Sequence, residues 1–399
     1  MKLPVVIASP AIRRSLAQGH PWVYRDQITP LKGRSTPPRY PSGTWVRVLS
    51  GSFEGVGLWN AEGAIAVRLF PVDGGVPDEK WLVERVRAAY ALRAPIREWA
   101  PPERQTTAYR WVYGESDGLP GVVVDLYDRW AVVVLYARGL DALLAPLLVA
   151  LRSVASLEGI VVRRDARDTA SAGAEVAWGR RPPADLVIQE NGLSFYVDLL
   201  RGQKTGFFLD HRDNRATIEP WCAGAEVLNA FAYTGAFSLY ALRGGAAHVT
   251  GVDIAPASAP ETRRIVALNA MPPERNESVV ADCFEWLTHA AEQRRQFDVV
   301  IVDPPSLARA KASRHAAARA YTRLNTLALR CLRPGGVLAT ASCTSQVSPD
   351  AFREALAAAA AQAGRRLLIL HEAGHAIDHP VPAHFPEARY LKFVLGIAE

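Results

Sequence analysis

The hydrophobic and polar positions of this 399-residue chain fall into three patterns. From residue 1 to about 75, short apolar runs alternate with turn residues: WVRVL (45–49), EGVGLWN (54–60) and AIAVRLF (64–70), with Gly-Ser and Glu-Gly between them. Runs rich in Val, Ile, Trp and Phe, each broken by a turn, predict a small β-barrel. PVDGGVP (71–77) reads as a linker. Residues 76–185 are mixed. DEKWLVERVRAAYALR (78–93) carries apolar positions at helical spacing. GLPGVVVDLYDRWAVVVLYARG (118–139) predicts a hairpin turning at Asp128-Arg129, a helix is expected near 140–156, and GIVVRRD (159–165) reads as a strand. A Pro/Gly-rich stretch (179–185) closes the region.

From residue 186 onward, strands and helices alternate. Strands are expected at EVLN (226–229), HVTGVD (248–253), SVVAD (278–282), FDVVIVD (297–303) and GGVLATAS (335–342). Helices are expected near 235–243, 258–270, 284–294, 316–332 and 350–362. This βαβ rhythm predicts a mostly parallel, doubly wound, Rossmann-like sheet. RRLLILHEAG (365–374) and RYLKFVLGIA (389–398) would add an antiparallel hairpin at one edge. The expected fold is therefore α/β: a doubly wound domain (186–399) preceded by a β-barrel (1–75) and a small α+β middle domain (76–185).

Composition narrows the classes. The four cysteines, Cys222, Cys283, Cys331 and Cys343, form no C-x-x-C pair, which argues against a zinc ribbon or a redox motif. The opening MKLPVVIASPAIRR lacks the apolar stretch of a signal peptide, and no window reaches the length of a membrane span. A cytoplasmic protein is expected, with neither membrane nor metal as partner. Residues 1–75 hold nine Lys/Arg against four Asp/Glu, five of the six net positive charges. A basic module of this kind suits a polyanion; solubilising surface charge is the competing account.

Candidate chemistry gathers at the carboxyl ends of the predicted strands, where open α/β sheets bind ligands. The first strand leads into Asn229-Ala-Phe231-Ala-Tyr233-Thr234-Gly235, a small-residue turn that exposes backbone N–H groups but is not a dinucleotide G-x-G-x-x-G fingerprint. Asp253, followed by Ile254, ends the second strand about 20 residues on, where an acid accepts from a ribose diol. Asp282, followed by Cys283, ends the third, within reach of an adenine amine. For both acids a helix cap is the alternative. Asp303-Pro304-Pro305-Ser306 ends the fourth, two prolines rigidifying the exit beside a planar group. Together the four point to an adenosyl cofactor.

Cys343 ends the fifth strand, the predicted neighbour of the one ending at Asp303. A thiol and a carboxylate beside a methyl donor suit methylation at carbon 5 of a pyrimidine. The thiolate adds at carbon 6, carbon 5 becomes nucleophilic, and the carboxyl group stabilises charge near ring nitrogen 3. The competing account is a small buried residue. The hydroxyl-rich flank Ser342-Cys343-Thr344-Ser345 favours a cleft. The other three thiols read as structural.

At these residues the chain resembles a known family. Gly202-Gln-Lys-Thr-Gly-Phe207-Phe208-Leu-Asp210-His211-Arg212-Asp-Asn-Arg215, the 229–235 turn, Asp303-Pro-Pro-Ser and Ser-Cys343-Thr are similar to motifs of the rRNA large-subunit methyltransferase I type of RNA 5-methylcytosine methyltransferases. So are Glu115-Ser-Asp-Gly-Leu-Pro-Gly-Val-Val-Val-Asp125 and Gly19-His-Pro-Trp-Val-Tyr24. The resemblance spans nearly the whole chain. It implies an RNA-holding PUA barrel, S-adenosylmethionine as cofactor and Cys343 as nucleophile beside Asp303. It also implies a cofactor site drawn from Phe208, Asp210, Arg212, Asn229, Phe231, Tyr233, Thr234, Gly235, Asp253, Ile254, Asp282, Cys283, Asp303 and Pro304. The implied partner is large-subunit rRNA, with a homodimer left open.

The chain departs from the family at His211, where many members have Gln, and at Ser306-Leu307, where a Phe commonly follows. It also lacks the second cysteine that the wider class often carries after the fourth-strand motif, so no release base is assigned. Phe207, Phe208 and Tyr233 are candidate platforms for a flipped base. Arg309, Lys311, Arg314, Arg319 and Arg323 could grip phosphates, or simply form a solvated helix face. His371, His375, His379 and His384 match no metal-ligand spacing. A 5-methyluridine product, methylation of a purine amine and a non-catalytic assembly factor stay open.

Overall fold

The computed structural model describes residues 3–31, 35–164, 173–307 and 314–399. It divides into two compact units, the first made of residues 1–189, 196–209 and 378–388 and the second of residues 190–195, 210–377 and 389–399.

The first unit opens with six strands: β1 (Val5–Ala8), β2 (Trp22–Tyr24), β3 (Ile28–Thr29), β4 (Trp45–Ser50), β5 (Phe53–Trp59) and β6 (Ile65–Phe70), in the order β2-β6-β5-β4-β1-β3. The pairs are antiparallel except β1 with β4. A short helix α1 (Arg13–Ala17) buries Leu16 against them. The strands β4 to β6 stand where the apolar runs predicted them; β1, β2 and β3 were not foreseen. They hold two to four residues each, too few for alternation to register.

The second sheet of this unit runs β11-β10-β9-β8-β7, built from β7 (Ala108–Tyr113), β8 (Val122–Tyr127), β9 (Trp130–Leu135), β10 (Gly159–Arg164) and β11 (Gly173–Gly179). The hairpin turn falls as predicted, with Tyr127 paired to Trp130 and Asp128 in the left-handed region at φ 56°. Helices α2 (Glu79–Leu92), capped by Asp78 accepting from the Trp81 N–H, and α4 (Asp141–Val154) bury their apolar stripes on this sheet; the short α3 (Ala94–Glu98) lies between them in the chain. The β7 and β11 strands were not predicted. A two-stranded hairpin, β12 (Leu186–Glu190) and β13 (Leu193–Val197), also unforeseen, carries the chain from one unit toward the other.

The second unit is the doubly wound domain. Its seven strands are β14 (Glu226–Ala230), β15 (His248–Asp253), β16 (Asn276–Val280), β17 (Phe297–Val302), β18 (Leu332–Ser342), β19 (Leu367–Ala373) and β20 (Lys392–Ala398), ordered β16-β15-β14-β17-β18-β20-β19. All pairs are parallel up to β18; β20 and β19 run antiparallel at the edge, as the hydrophobic pattern predicted. Helices α5 (Arg212–Ile218), α6 (Ala236–Arg243) and α7 (Ser258–Leu268) pack as one group. Helices α8 (Cys283–Glu292), α9 (Arg314–Arg330) and α10 (Pro349–Ala363) pack as another, enclosing Leu287, Leu324, Leu327 and Ala359 with the sheet. The strand order reverses between β14 and β17, and a ligand crevice opens beyond the strand ends at such a reversal.

The strand predicted to end at Asp282 stops at Val280, so Asp282 stands two residues beyond the ladder. Among the described residues, no helix is long and apolar enough to cross a membrane.

Candidate active site

The turn after β14 is held in a costly conformation. Phe231 and Tyr233 have φ of 63° and 50°, a region that side chains with a Cβ rarely adopt, and Gly235 follows at 83°. A Cβ on Gly235 would stand 2.6 Å from the Thr262 side chain, so only glycine fits there. Asp253 stabilises this turn directly. Its Oδ2 accepts from the Tyr233 N–H at 2.8 Å and its Oδ1 from the Ala255 N–H at 2.8 Å. It does not cap α7, whose cap residue is Ala257, so the alternative reading of Asp253 does not apply. Asp282 does cap α8, through Oδ1 to the N–H groups of Phe284 (2.8 Å) and Glu285 (3.1 Å). For that residue the capping account is observed, with Oδ2 outside those two bonds.

Asn229 is 1% exposed; its Nδ2 donates to Ser238 Oγ at 2.9 Å, while its Oδ1 has no hydrogen-bond partner. A buried acceptor left so costs about 1–3 kcal/mol unless a ligand satisfies it. Ile254, next to Asp253, is 66% exposed, an apolar side chain at the crevice mouth. Cys283 accepts from the Phe231 N–H at 3.2 Å and donates to Val252 O. Burial pushes its thiol up to about 12, so it stays protonated and structural. An unsatisfied acceptor, an exposed apolar side chain and a row of strand-end acids fit an adenosyl group, its diol and its amine.

Asp303 and Cys343 stand beyond adjacent strand tips, since β17 and β18 pair in parallel with Val302 beside Thr340. The Cys343 Sγ donates to Pro304 O at 3.6 Å, and the residue is partly exposed, while the other three cysteines are buried. Burial pushes Cys222 up to about 12 and Cys331 up to about 11. Of the four thiols, Cys343 is thus the one in reach of a substrate.

The structure adds residues that local patterns could not assign. His211, 2% exposed, places Nε2 3.3 Å from Asp303 Oδ1, and its Nδ1 stands 3.2 Å from Asn214 Nδ2. Because the amide is a donor, Nδ1 acts as the acceptor, and the proton sits on Nε2, facing the carboxylate. Tyr321 on α9 is fully buried; burial first, then Cys343 and Asp303, push its hydroxyl up to about 12, so it remains a neutral phenol beside both.

The other predicted residues are placed as follows. Asp210 is 2% exposed and its Oδ2 accepts from the Tyr390 hydroxyl at 2.5 Å; Arg212, also 2% exposed, donates from Nε to Asp213. Tyr233 and Thr234 are half-buried. Phe208 belongs to the first unit, half-buried, with Lys204 Nζ 4.3 Å from its ring centroid. Phe207, a candidate stacking platform by sequence, is a core residue of the first unit, 4% exposed, because the Tyr127 hydroxyl holds its N–H inward. Arg309 and Lys311 lie outside the described residues. Arg319 and Arg323 are exposed and, with His315 and Ser348, line an open groove between α9 and α10 beside Ser345. Among the described residues, no group of three or more His, Cys, Asp or Glu is placed to hold a metal ion.

The sheet order, the strained turn and the strand-end acids define an S-adenosylmethionine-dependent methyltransferase. The profile of that family matches residues 141–371, and a PUA-like domain profile matches residues 6–71. The chain is 36% identical over 394 residues to the ribosomal RNA large subunit methyltransferase I of Alteromonas mediterranea, covering 97% of each chain. It is 38% identical over 396 residues to the ribosomal RNA large subunit methyltransferase of Deinococcus radiodurans, covering 97% of this chain and 95% of that one. In fold it is similar to a methyltransferase crystallised in complex with SAH (TM-score 0.86, 22% identity, 99% of this chain and all of that one). It is also similar to a SAM-dependent methyltransferase from Streptococcus mutans (TM-score 0.84, 21% identity, with the same coverage). The chain belongs to the ribosomal RNA large subunit methyltransferase I family.

Proposed function

We propose that this enzyme methylates carbon 5 of a cytosine in large-subunit rRNA, through a covalent bond between Cys343 and carbon 6 of the base. The observation that carries this reading is the partly exposed Cys343 thiol at the tip of β18, 3.6 Å from the carbonyl of Pro304, the residue after Asp303 at the tip of β17, the strand that borders the order reversal. The relatives' names supply the substrate class. S-adenosylmethionine, when bound, supplies an electrophilic methyl group. Asn229, Asp253, Ile254 and Asp282 hold it, with the 229–235 turn close against it and Pro304 beside the planar group.

The protein's own work is at the base. Cys343 adds as thiolate at carbon 6, which makes carbon 5 nucleophilic. Asp303, with Oδ1 tied to His211, acts at ring nitrogen 3 in its acid form: Oδ2–H donates to that nitrogen and passes it the proton as negative charge develops there. When the carbon-5 proton is lost after methyl transfer, the carbon–sulfur bond breaks and the thiolate returns. The PUA-like domain (residues 1–75) holds RNA, and the groove bearing Arg319 and Arg323 accepts backbone phosphates.

Asp253→Ala removes a carboxylate from the ribose site and releases the Tyr233 N–H. Titration calorimetry should show affinity for S-adenosylmethionine lowered roughly 10- to 100-fold; unchanged affinity would remove Asp253 from the site. Mass mapping of rRNA from a strain lacking the gene tests the product. Loss of one 5-methylcytosine in large-subunit rRNA is expected. Loss of a 5-methyluridine would correct the base, and loss of a methylated purine would overturn the pyrimidine chemistry.

A further inference from the structure

Lys392 opens β20, paired with Ser342 across the antiparallel ladder, and is 4% exposed. Its Nζ donates to Thr344 O, in the residue after Cys343, and to Tyr390 O at 2.9 Å. Those two carbonyls take two of the three ammonium N–H groups. Among the described residues no carboxylate lies within 4 Å of Nζ. A buried lysine without an acid is expensive, because carbonyl dipoles replace only part of the lost hydration. Cys343 is the group whose field favours its charged form.

We infer that Lys392 is the positioning residue of the nucleophile: it pins the Cys343 loop through Thr344 and is the counter-ion that holds the thiol in its thiolate form. The inference rests on the covalent reading above and deepens it. The ammonium acts on the thiol through charge: the Sγ proton leaves to solvent, and the positive charge held at the Cys343 loop favours that loss. Burial pushes the Lys392 ammonium down to about 8, while Cys343 pulls it the other way, so the charged form a counter-ion needs prevails at neutral pH. The other groups around the pair are Arg389, which acts on Lys392, and Tyr321, on which Cys343 and Asp303 both act.

The test is the rate of Cys343 alkylation by iodoacetamide against pH, read by mass spectrometry of the modified peptide, with the three buried cysteines as slow internal references. In the wild-type protein the midpoint should fall below the roughly 8.5 of an ordinary thiol; a midpoint at or above that value overturns the inference without any variant. Lys392→Met should slow alkylation at pH 7 at least about tenfold and move the midpoint upward, and Lys392→Arg should restore most of the rate. A Lys392→Met profile that superimposes on the wild type also overturns it. Asp303→Asn, measured in parallel, separates the carboxylate's contribution. The covalent reading is judged independently by Cys343→Ala, so an ordinary alkylation profile in an enzyme that needs Cys343 sinks only the role of Lys392.

Discussion

Cys343→Ala should reduce methylation of large-subunit rRNA by on the order of 10³-fold or more, as removal of a covalent nucleophile does, while binding of S-adenosylmethionine stays within about twofold. The two readouts separate because Cys343 stands at the tip of β18, whereas Asn229, Asp253 and Asp282 stand at or just beyond the tips of β14, β15 and β16. The substitution removes one sulfur from a partly exposed position, so stability should change little. Activity is read by transfer of labelled methyl to rRNA transcribed in vitro, and adduct formation by a protein–RNA band that survives denaturation and is absent from the variant. Methylation retained within tenfold of wild type would show that carbon 5 is not activated by sulfur, and a purine amine would become the favoured target.

Arg215→Met should destabilise the second unit by about 3–5 kcal/mol, the cost of stranding a buried charge. Arg215, 2% exposed, donates Nε and Nη2 to the two oxygens of Glu190, which is fully buried, at 2.7 and 2.6 Å. Burial alone would push the guanidinium down, yet Glu190 beside it holds it above its usual value. Without Arg215 the carboxylate keeps, among the described residues, the Tyr240 hydroxyl at 2.9 Å. Thermal unfolding should shift down by roughly 6–20 °C, given 2–4 °C per kcal/mol for a domain of this size. Arg215→Met combined with Glu190→Met should recover most of the loss, because the double change strands no charge. A single variant within 1 kcal/mol of wild type would mean that water reaches the pair.

The sequence also explains why Arg215 is so placed. It closes the 202–215 run that first suggested the family, and the structure shows that part of this run is packing rather than chemistry. Phe207 is core, Arg215 pairs with Glu190, and Asp210 and Arg212 are buried. His211 alone of that run touches the proposed catalytic carboxylate. A residue flagged only as a departure from the family pattern thereby gains a place at the site.

The sequence alone determined the doubly wound domain and the row of strand-end residues, because apolar periodicity, turns and helix starts are local signals and parallel crossovers have one hand. That logic also placed Cys343 next to Asp303, since β17 and β18 are successive parallel strands. Tertiary structure decided the rest. His211 and Tyr321 act on Asp303 and Cys343 from α5's leading turn and from α9, and Lys392 reaches the carbonyl after Cys343 from β20, an antiparallel strand inside the sheet. No spacing in the chain announces such meetings, because contacts between distant segments depend on sheet order and burial. Asp282 as a cap, Phe207 as core and the two- to four-residue strands β1 to β3 were settled the same way. Each depends on which partner closes a hydrogen bond or excludes water, and that partner lies beyond the window in which a sequence pattern can be read.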